Sequence, residues 1–182
     1  MTRLPRLTPA GLDDDQRALR DAIVAGPRAG GPFPLTDEAG ALTGPFNAML
    51  FSPPVGEALQ RLGAAVRYET ELTDRVRELA ILAVAARWDC AFERYAHEPA
   101  ARAAGITAAQ LDGLDGLDPE ETAALRFVDA LLDGDVDDVT YAETVPTIGN
   151  RVAVELTTLV GYYATLALQL RVFRVTVPVE QP

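Results

Sequence analysis

The residue types most often used in catalysis are concentrated in one short stretch of the chain. Its only histidine, His97, and its only cysteine, Cys90, are seven positions apart. Glu93 lies between them, three positions after the cysteine and four before the histidine. On an α-helix these spacings bring side chains to one face. The pattern therefore predicts a cluster of Cys90, Glu93 and His97 on one face of a helix.

This cluster has the composition of an acid–base site. Glu93, at the i, i+4 distance from His97, can hold the imidazole in one tautomer. Glu78 belongs to the preceding predicted helix, where its apolar neighbours suggest a partly buried carboxylate that needs a partner. His97 is the predicted partner. A histidine oriented by a carboxylate is the usual general acid–base unit near neutral pH, so the candidate catalytic residues are His97, Glu93, Glu78 and Cys90.

Structural explanations of the same residues stay open. A Glu–His pair at this spacing is often a helix surface contact, and a lone cysteine is more often a small buried hydrophobe than a nucleophile. Glu78 could instead pair with Arg75 or Arg77. The histidine could also be structural, in a helical oligomer without catalytic activity. This last alternative predicts that replacing the histidine reduces stability rather than turnover.

A metal site is a further alternative, because two carboxylates and a histidine can ligate iron or zinc. Di-iron helical bundles, however, use two Glu-x-x-His motifs. A single histidine with two carboxylates fits neither that pattern nor the usual three-ligand zinc sites. We therefore predict no metal at these residues.

Composition limits the classes of function. The chain has 182 residues and a net charge of −11, and all 16 of its basic residues are arginine. A nucleic-acid-binding protein would show a basic face, and none is visible. A single cysteine allows no internal disulfide, which favours a cytoplasmic setting. The N-terminus lacks the apolar core of a signal peptide. Glu155 and Gln169 interrupt the most apolar late segment, so no membrane span is expected.

Helical periodicity and capping signals run through the sequence, and no alternating strand pattern appears. The predicted helices cover 8–25, 54–68, a segment from the cap Thr73 to Trp88, a segment from the cap Asp89 to about Gly105, a short segment after Thr107, 119–132, 138–145 and 151–173. They predict an all-α fold of six to eight helices. We expect one domain over 1–182, with its core at about 44–173 and a Gly/Pro-rich loop at 26–43.

Residues 44–105 resemble the carboxymuconolactone decarboxylase family, whose wider superfamily includes the AhpD-type alkylhydroperoxidases. The resemblance depends on GPFNAML followed by SPP, on RELAILAVA, and on the pattern of Cys90, Phe92, Glu93, His97, Ala101 and Gly105. A weaker match, VELTTLVGYY at 154–163, extends it toward the C-terminus. The resemblance implies an AhpD-like helical bundle that assembles as a homotrimer or hexamer. The final helix, apolar on most sides, is compatible with burial between subunits.

The peroxidase branch carries Cys-x-x-Cys-x-x-x-His, with a glutamate on the helix before it. Cys90, His97 and Glu78 match three of these positions, and Glu93 stands at the second cysteine. A two-cysteine peroxidase needs a partner thiol to resolve the oxidised one. Because this chain has no other cysteine, thiol peroxidase activity is the alternative functional prediction and not the first one.

The decarboxylase branch carries Glu-x-x-x-His without the cysteine pair. It implies cofactor-free loss of carbon dioxide from a small carboxylated lactone in aromatic catabolism. His97 would protonate the carbon skeleton, and Glu93 or Glu78 would orient His97. An arginine would hold the substrate carboxylate, and Arg94 and Arg87 are the candidates. Arg94 stands where members of the family often carry tryptophan. The resemblance therefore predicts a decarboxylase-like lyase, acting on this or another small acid or lactone.

Overall fold

The structure is a computed structural model that describes residues 2–30, 33–113 and 116–178. The described residues form helices with one isolated extended bridge, between Thr36 and Leu42. The helices are α1 (Asp14–Ala25), α2 (Pro45–Met49), α3 (Pro53–Tyr68), α4 (Asp74–Arg87), α5 (Ala91–Ala103), α6 (Ala108–Gly113), α7 (Pro119–Asp133) and α8 (Asp138–Val172). The predicted all-α fold of six to eight helices is confirmed.

Capping residues explain where several helices begin. The Thr73 side chain accepts a hydrogen bond from the backbone N–H of Val76, as its predicted role as the cap of α4 requires. Asp118 and Glu121 form a reciprocal capping box at the start of α7. Asp13 forms a similar box with Gln16, which starts α1 later than predicted. The predicted helix over 8–25 is therefore a short 3-10 turn at 9–11 followed by α1.

The turn between α4 and α5 differs from the prediction. Asp89, the predicted cap of α5, has a left-handed backbone with φ 47°. The capping position belongs to Cys90, whose side chain makes no capping hydrogen bond. The backbone N–H of Cys90 donates instead to the carbonyl oxygen of Ala85 at 2.8 Å, which closes the turn. Cys90 thus precedes the first helical residue of α5 rather than continuing its face.

The last helical segment is interrupted at Gly149, where φ is 84° and ψ is 154°. Only glycine adopts this backbone conformation at little cost. The break falls between the two helices predicted for this region, 138–145 and 151–173. The segment that follows it contributes Leu156, Leu159 and Tyr163 to the interior.

The main hydrophobic core takes buried residues from α1, α2, α3, α4, α7 and α8. Helix α5 packs on α4 and is held by two smaller apolar clusters, one around Leu79 and Ala101 and the other around Phe92 and Leu170. The described part of the Gly/Pro-rich loop lies against this core, since Leu42 is fully buried. No helix among the described residues is long and apolar enough to cross a membrane.

Candidate active site

The only histidine is held by a carboxylate from the neighbouring helix. His97 on α5 is 9% exposed and Glu78 on α4 is 3% exposed. The His97 Nδ1 atom lies 2.8 Å from Glu78 Oε2. Because a carboxylate can only accept, Nδ1–H donates, and this fixes the tautomer in which Nε2 is free to exchange a proton. The contact predicted between these two residues is present in the structure.

Glu78 is itself fixed by an arginine at the end of α3. Arg67 Nη2 donates to Glu78 Oε1 at 3.2 Å, and Arg67 Nη1 donates to the Tyr163 hydroxyl at 3.3 Å. Burial by itself raises the pKa of Glu78, but the hydrogen bond from His97 and the positive charges of His97 and Arg67 outweigh burial and lower that pKa. Glu78 therefore stays ionised and keeps His97 oriented.

Glu93 lies on the other side of the imidazole ring. Its Oε2 atom is 3.5 Å from His97 Nε2, and its Oε1 atom is buried without a hydrogen-bond partner among the described residues. Burial raises the pKa of Glu93, although the charges of His97 and Arg67 oppose this effect. The two carboxyl groups at this histidine thus have pKa values shifted in opposite directions, that of Glu78 down and that of Glu93 up. Such a pair can divide the roles, with Glu93 as the acid and Glu78 as the charged group.

Glu93 and His97 line a cavity of about 100 Å³. Tyr162 and Tyr163 of α8 form part of its wall, and the Tyr163 ring meets His97 edge-on at 5.2 Å. Burial raises the pKa of both tyrosines, that of Tyr162 to about 12, so both hydroxyls stay protonated near neutral pH. The apolar part of the wall comes mainly from aromatic side chains and leucines, namely Phe33, Leu35, Phe46, Phe92 and Leu166.

The structure separates Cys90 from this cavity. Cys90 is 4% exposed and packs with Phe92, Ala167 and Leu170 in a separate apolar cluster. It is not among the residues that line the cavity. Burial raises the pKa of its thiol, which disfavours the thiolate. The sequence places Cys90 on the same helical face as Glu93 and His97, but its capping position turns the side chain elsewhere.

Arg87 and Arg94 lie on a second cavity of about 500 Å³ between α4, α5 and α7. This cavity is larger, with a floor that includes Leu79 and Leu125, but it contains neither the histidine nor the cysteine. We regard the smaller cavity as the candidate active site because His97 and Glu93 line it and Glu78 is hydrogen-bonded to Nδ1 of the same histidine. Neither Arg87 nor Arg94 lines that smaller cavity.

The arginines that line the His97 cavity are Arg67 and Arg28, and neither is among the site residues predicted from the sequence. Arg67 is separated from His97 by 30 positions and Arg28 lies in the Gly/Pro-rich loop, so no helical spacing connects them to the motif. Two matched segments of the sequence do contain residues of this cavity: GYY contains Tyr162 and Tyr163, and GPFNAML contains Pro45 and Phe46.

The two carboxylates do not converge on one point. Glu78 lies at Nδ1 of the imidazole and Glu93 at Nε2, on different sides of the ring. Among the described residues, no group of three or more His, Cys, Asp and Glu side chains is arranged to hold a metal ion.

Comparison with known proteins finds a family that is similar to part of the chain. Residues 53–135 match the model of the carboxymuconolactone decarboxylase family. This segment, a little under half of the chain, is similar to that family. The match contains Glu78, Glu93 and His97 and ends before α8, which supplies Tyr162 and Tyr163. No curated protein matches the sequence significantly.

Two solved structures share the fold. One is a protein of unknown function from Agrobacterium tumefaciens, with a suggested assignment as the antioxidant defence protein AhpD; it is 22% identical, with a TM-score of 0.67 over 76% of this chain and 100% of that chain. The other is an uncharacterised peroxidase-related protein from Ralstonia eutropha, described as an alkylhydroperoxidase AhpD core; it is 17% identical, with a TM-score of 0.75 over 98% of this chain and 93% of that chain. The predicted AhpD-like bundle is therefore confirmed as a fold.

Proposed function

We propose that this protein, which is similar to the carboxymuconolactone decarboxylase family over residues 53–135, is a cofactor-free lyase that uses acid–base chemistry on a small carboxylated or lactone substrate. The observation that supports this proposal best is that His97 has a carboxylate at each ring nitrogen, Glu78 at Nδ1 and Glu93 at Nε2. One carboxylate is charged and bonded to Nδ1, and the other lies near Nε2 with a raised pKa. This arrangement suits a transferable proton between His97 and Glu93, facing a mostly apolar cavity.

In this mechanism the electron pair of the C–C bond to the carboxylate stays on the substrate carbon as carbon dioxide leaves. The His97–Glu93 pair donates a proton to that carbon, and solvent later replaces the proton, so that atoms and charge balance. Glu78 is the positioning residue: it stays charged, keeps Nδ1 protonated and stabilises positive charge on the ring.

Thiol peroxidase activity is the alternative that the names of the two structural neighbours suggest. It would require Cys90 to react as a thiolate, although this thiol is buried, has a raised pKa and lies away from the cavity. A non-catalytic oligomer with a structural histidine is the third possibility. These observations support acid–base chemistry ahead of both.

The test compares three variants on a panel of carboxylated lactones, with released carbon dioxide as the readout. His97→Ala and Glu93→Gln should lose turnover, because each removes one partner of the proton transfer. Cys90→Ser should retain it, since its side chain is outside the cavity. Hydroperoxide reduction that depends on a thiol reductant and disappears in Cys90→Ser would support the peroxidase instead. Loss of stability in His97→Ala without any turnover in the parent protein would support the structural role.

We also propose that the chain assembles with itself, as a trimer or hexamer. Helix α8 exposes Val154, Leu168 and Val172, with 66%, 44% and 50% of their surfaces accessible in the single chain. Burial of such side chains against a second copy would remove apolar surface from water. Light scattering coupled to gel filtration measures the mass directly, and a monomer at micromolar concentration would contradict the proposal.

A further inference from the structure

Arg28 is a buried cation that the proposed chemistry does not use. It lies in the loop between α1 and α2, is 9% exposed and lines the His97 cavity. Its Nη1 and Nη2 groups donate to the carbonyl oxygen of Gln60 at 3.4 and 3.3 Å, and its guanidinium lies over the Phe46 ring, 5.5 Å from the centroid. Both partners are neutral, so they use part of the hydrogen-bonding capacity of the guanidinium but do not neutralise its charge.

The ion pairs of the described residues include no partner for Arg28. Buried charges are normally paired, because moving one from water to the interior is costly. Arg67, the other arginine of the cavity, forms an ion pair with the carboxylate of Glu78. When Glu93 carries its proton and His97 is neutral, the charges of Arg67 and Glu78 cancel, and the positive charge of Arg28 has no counter-ion among the described residues.

The position of Arg28 is built into the packing of α3 and α8. A Cβ atom at Gly63 would lie 2.0 Å from the Tyr162 hydroxyl and 2.6 Å from Arg28 Nη2. Only a residue without a side chain leaves room for these two groups at this point of α3. Tyr162 also contacts Tyr163, with ring centroids 5.1 Å apart, and Tyr163 contacts His97. A row of contacting side chains thus joins Arg28 to the candidate catalytic histidine.

The remaining wall favours a small anion with an apolar body. Phe33, Phe46 and Phe92 supply apolar surface, and the cavity volume is about 100 Å³. A short apolar acid offers one charge for the guanidinium and a small body for the aromatic wall, and carboxylate–arginine pairing is geometrically favourable.

We propose that Arg28 anchors the carboxylate of a small apolar carboxylic acid in the His97 cavity, and that the Gly/Pro-rich loop thereby supplies the specificity for an anionic ligand. This inference rests on the proposed function for the presence of a small substrate, and it names the substrate class. The net charge of −11 does not attract anions to the chain as a whole, so the selectivity has to come from the cavity itself.

Binding is measured with the full-length protein and sodium propionate, using propionamide as the neutral probe of similar shape. His97 is the only histidine, so its ring signals in a histidine-labelled sample report on this cavity alone. Propionate should shift these signals saturably and raise the melting temperature, whereas propionamide should do neither. Arg28→Gln should weaken propionate binding at least tenfold. Arg61→Gln, which removes the same charge from an exposed position on α3, should leave binding unchanged.

Arg28→Lys is the second variant, and it keeps the positive charge if Arg28→Gln does not fold. It should bind propionate more weakly than the parent protein but more strongly than Arg28→Gln, because lysine lacks the bidentate fork. Equal binding of propionate and propionamide, equal binding by the parent protein and Arg28→Gln, or no binding of propionate to the parent protein would overturn the inference. Binding of propionate needs no proton transfer to carbon, so failure of the anion site and failure of the acid–base mechanism are separate results.

Discussion

The raised pKa of Glu93 predicts that replacing this residue with glutamine stabilises the protein, and increasingly so as the pH rises. Burial is the main cause of the shift, and Oε1 has no hydrogen-bond partner among the described residues. Glutamine has nearly the same shape and cannot ionise. The substitution therefore removes the cost of placing a negative charge at this position while it keeps the side-chain volume.

The sign and size follow from linkage between proton binding and folding. The pKa of Glu93 in the folded protein is above its ordinary value of 4.5. Between that value and the folded-state pKa, the unfolded chain has lost the proton and the folded chain retains it. The free energy of unfolding of the parent protein therefore falls by up to about 1.4 kcal/mol per pH unit in this window. Glutamine does not ionise, so the free energy of unfolding of Glu93→Gln does not include this decrease.

The pKa of Glu78 is shifted in the opposite direction, so Glu78 affects the free energy of unfolding in a different pH range. Its pKa is below the ordinary value of 4.5, so the stability it contributes is present above that value and is lost as the pH falls through the folded-state pKa. Measurements above about pH 5 therefore keep the Glu78 contribution constant, and comparison of the parent protein with Glu93→Gln cancels the groups that titrate in both.

The assay is urea unfolding at a fixed protein concentration, followed by the fluorescence of the only tryptophan, Trp88, from about pH 5 to about pH 8. The parent protein and Glu93→Gln should have similar stability at the acid end and diverge as the pH rises, with the variant more stable. Glu38→Gln, at an exposed position of the loop, should stay within about 0.5 kcal/mol of the parent throughout. A difference that is independent of pH, or one that grows in favour of the parent protein, would refute the reasoning.

Two further substitutions test the packing and the charges of the site. Gly63→Ala should destabilise the protein by about 1–3 kcal/mol in thermal or urea unfolding, because its Cβ would overlap the Tyr162 hydroxyl. An unchanged or increased stability, which is the result for glycine to alanine at an unhindered helix position, would contradict the overlap expected at Tyr162. Glu78→Gln should cost about 3 kcal/mol at neutral pH, the low end for removing one partner of a buried ion pair, and that cost should shrink in acid, as the lowered pKa of Glu78 requires. A loss that persists unchanged in acid would show that the charge of Glu78 is not what stabilises the fold.

The sequence by itself determined the features that depend on neighbours along the chain. Periodicity and caps such as Thr73 and Asp118 indicated most helices, because hydrogen bonds between residues three or four positions apart decide where a helix begins. The proximity of Glu93 and His97 follows from the same helical spacing. The pairing of Glu78 with His97 was also predictable, since a buried carboxylate needs a partner and the chain has only one histidine.

The tertiary structure alone decided which other groups meet at the histidine. The left-handed backbone of Asp89 turns Cys90 out of the face that helical spacing predicted. Arg87 and Arg94, close to the motif in sequence, line a different cavity. Arg67, Arg28 and Tyr163 come from α3, the loop and α8, and reach the site through the packing of these segments around α4 and α5. Local spacing carries no information about such contacts, because they depend on how distant segments cross in three dimensions.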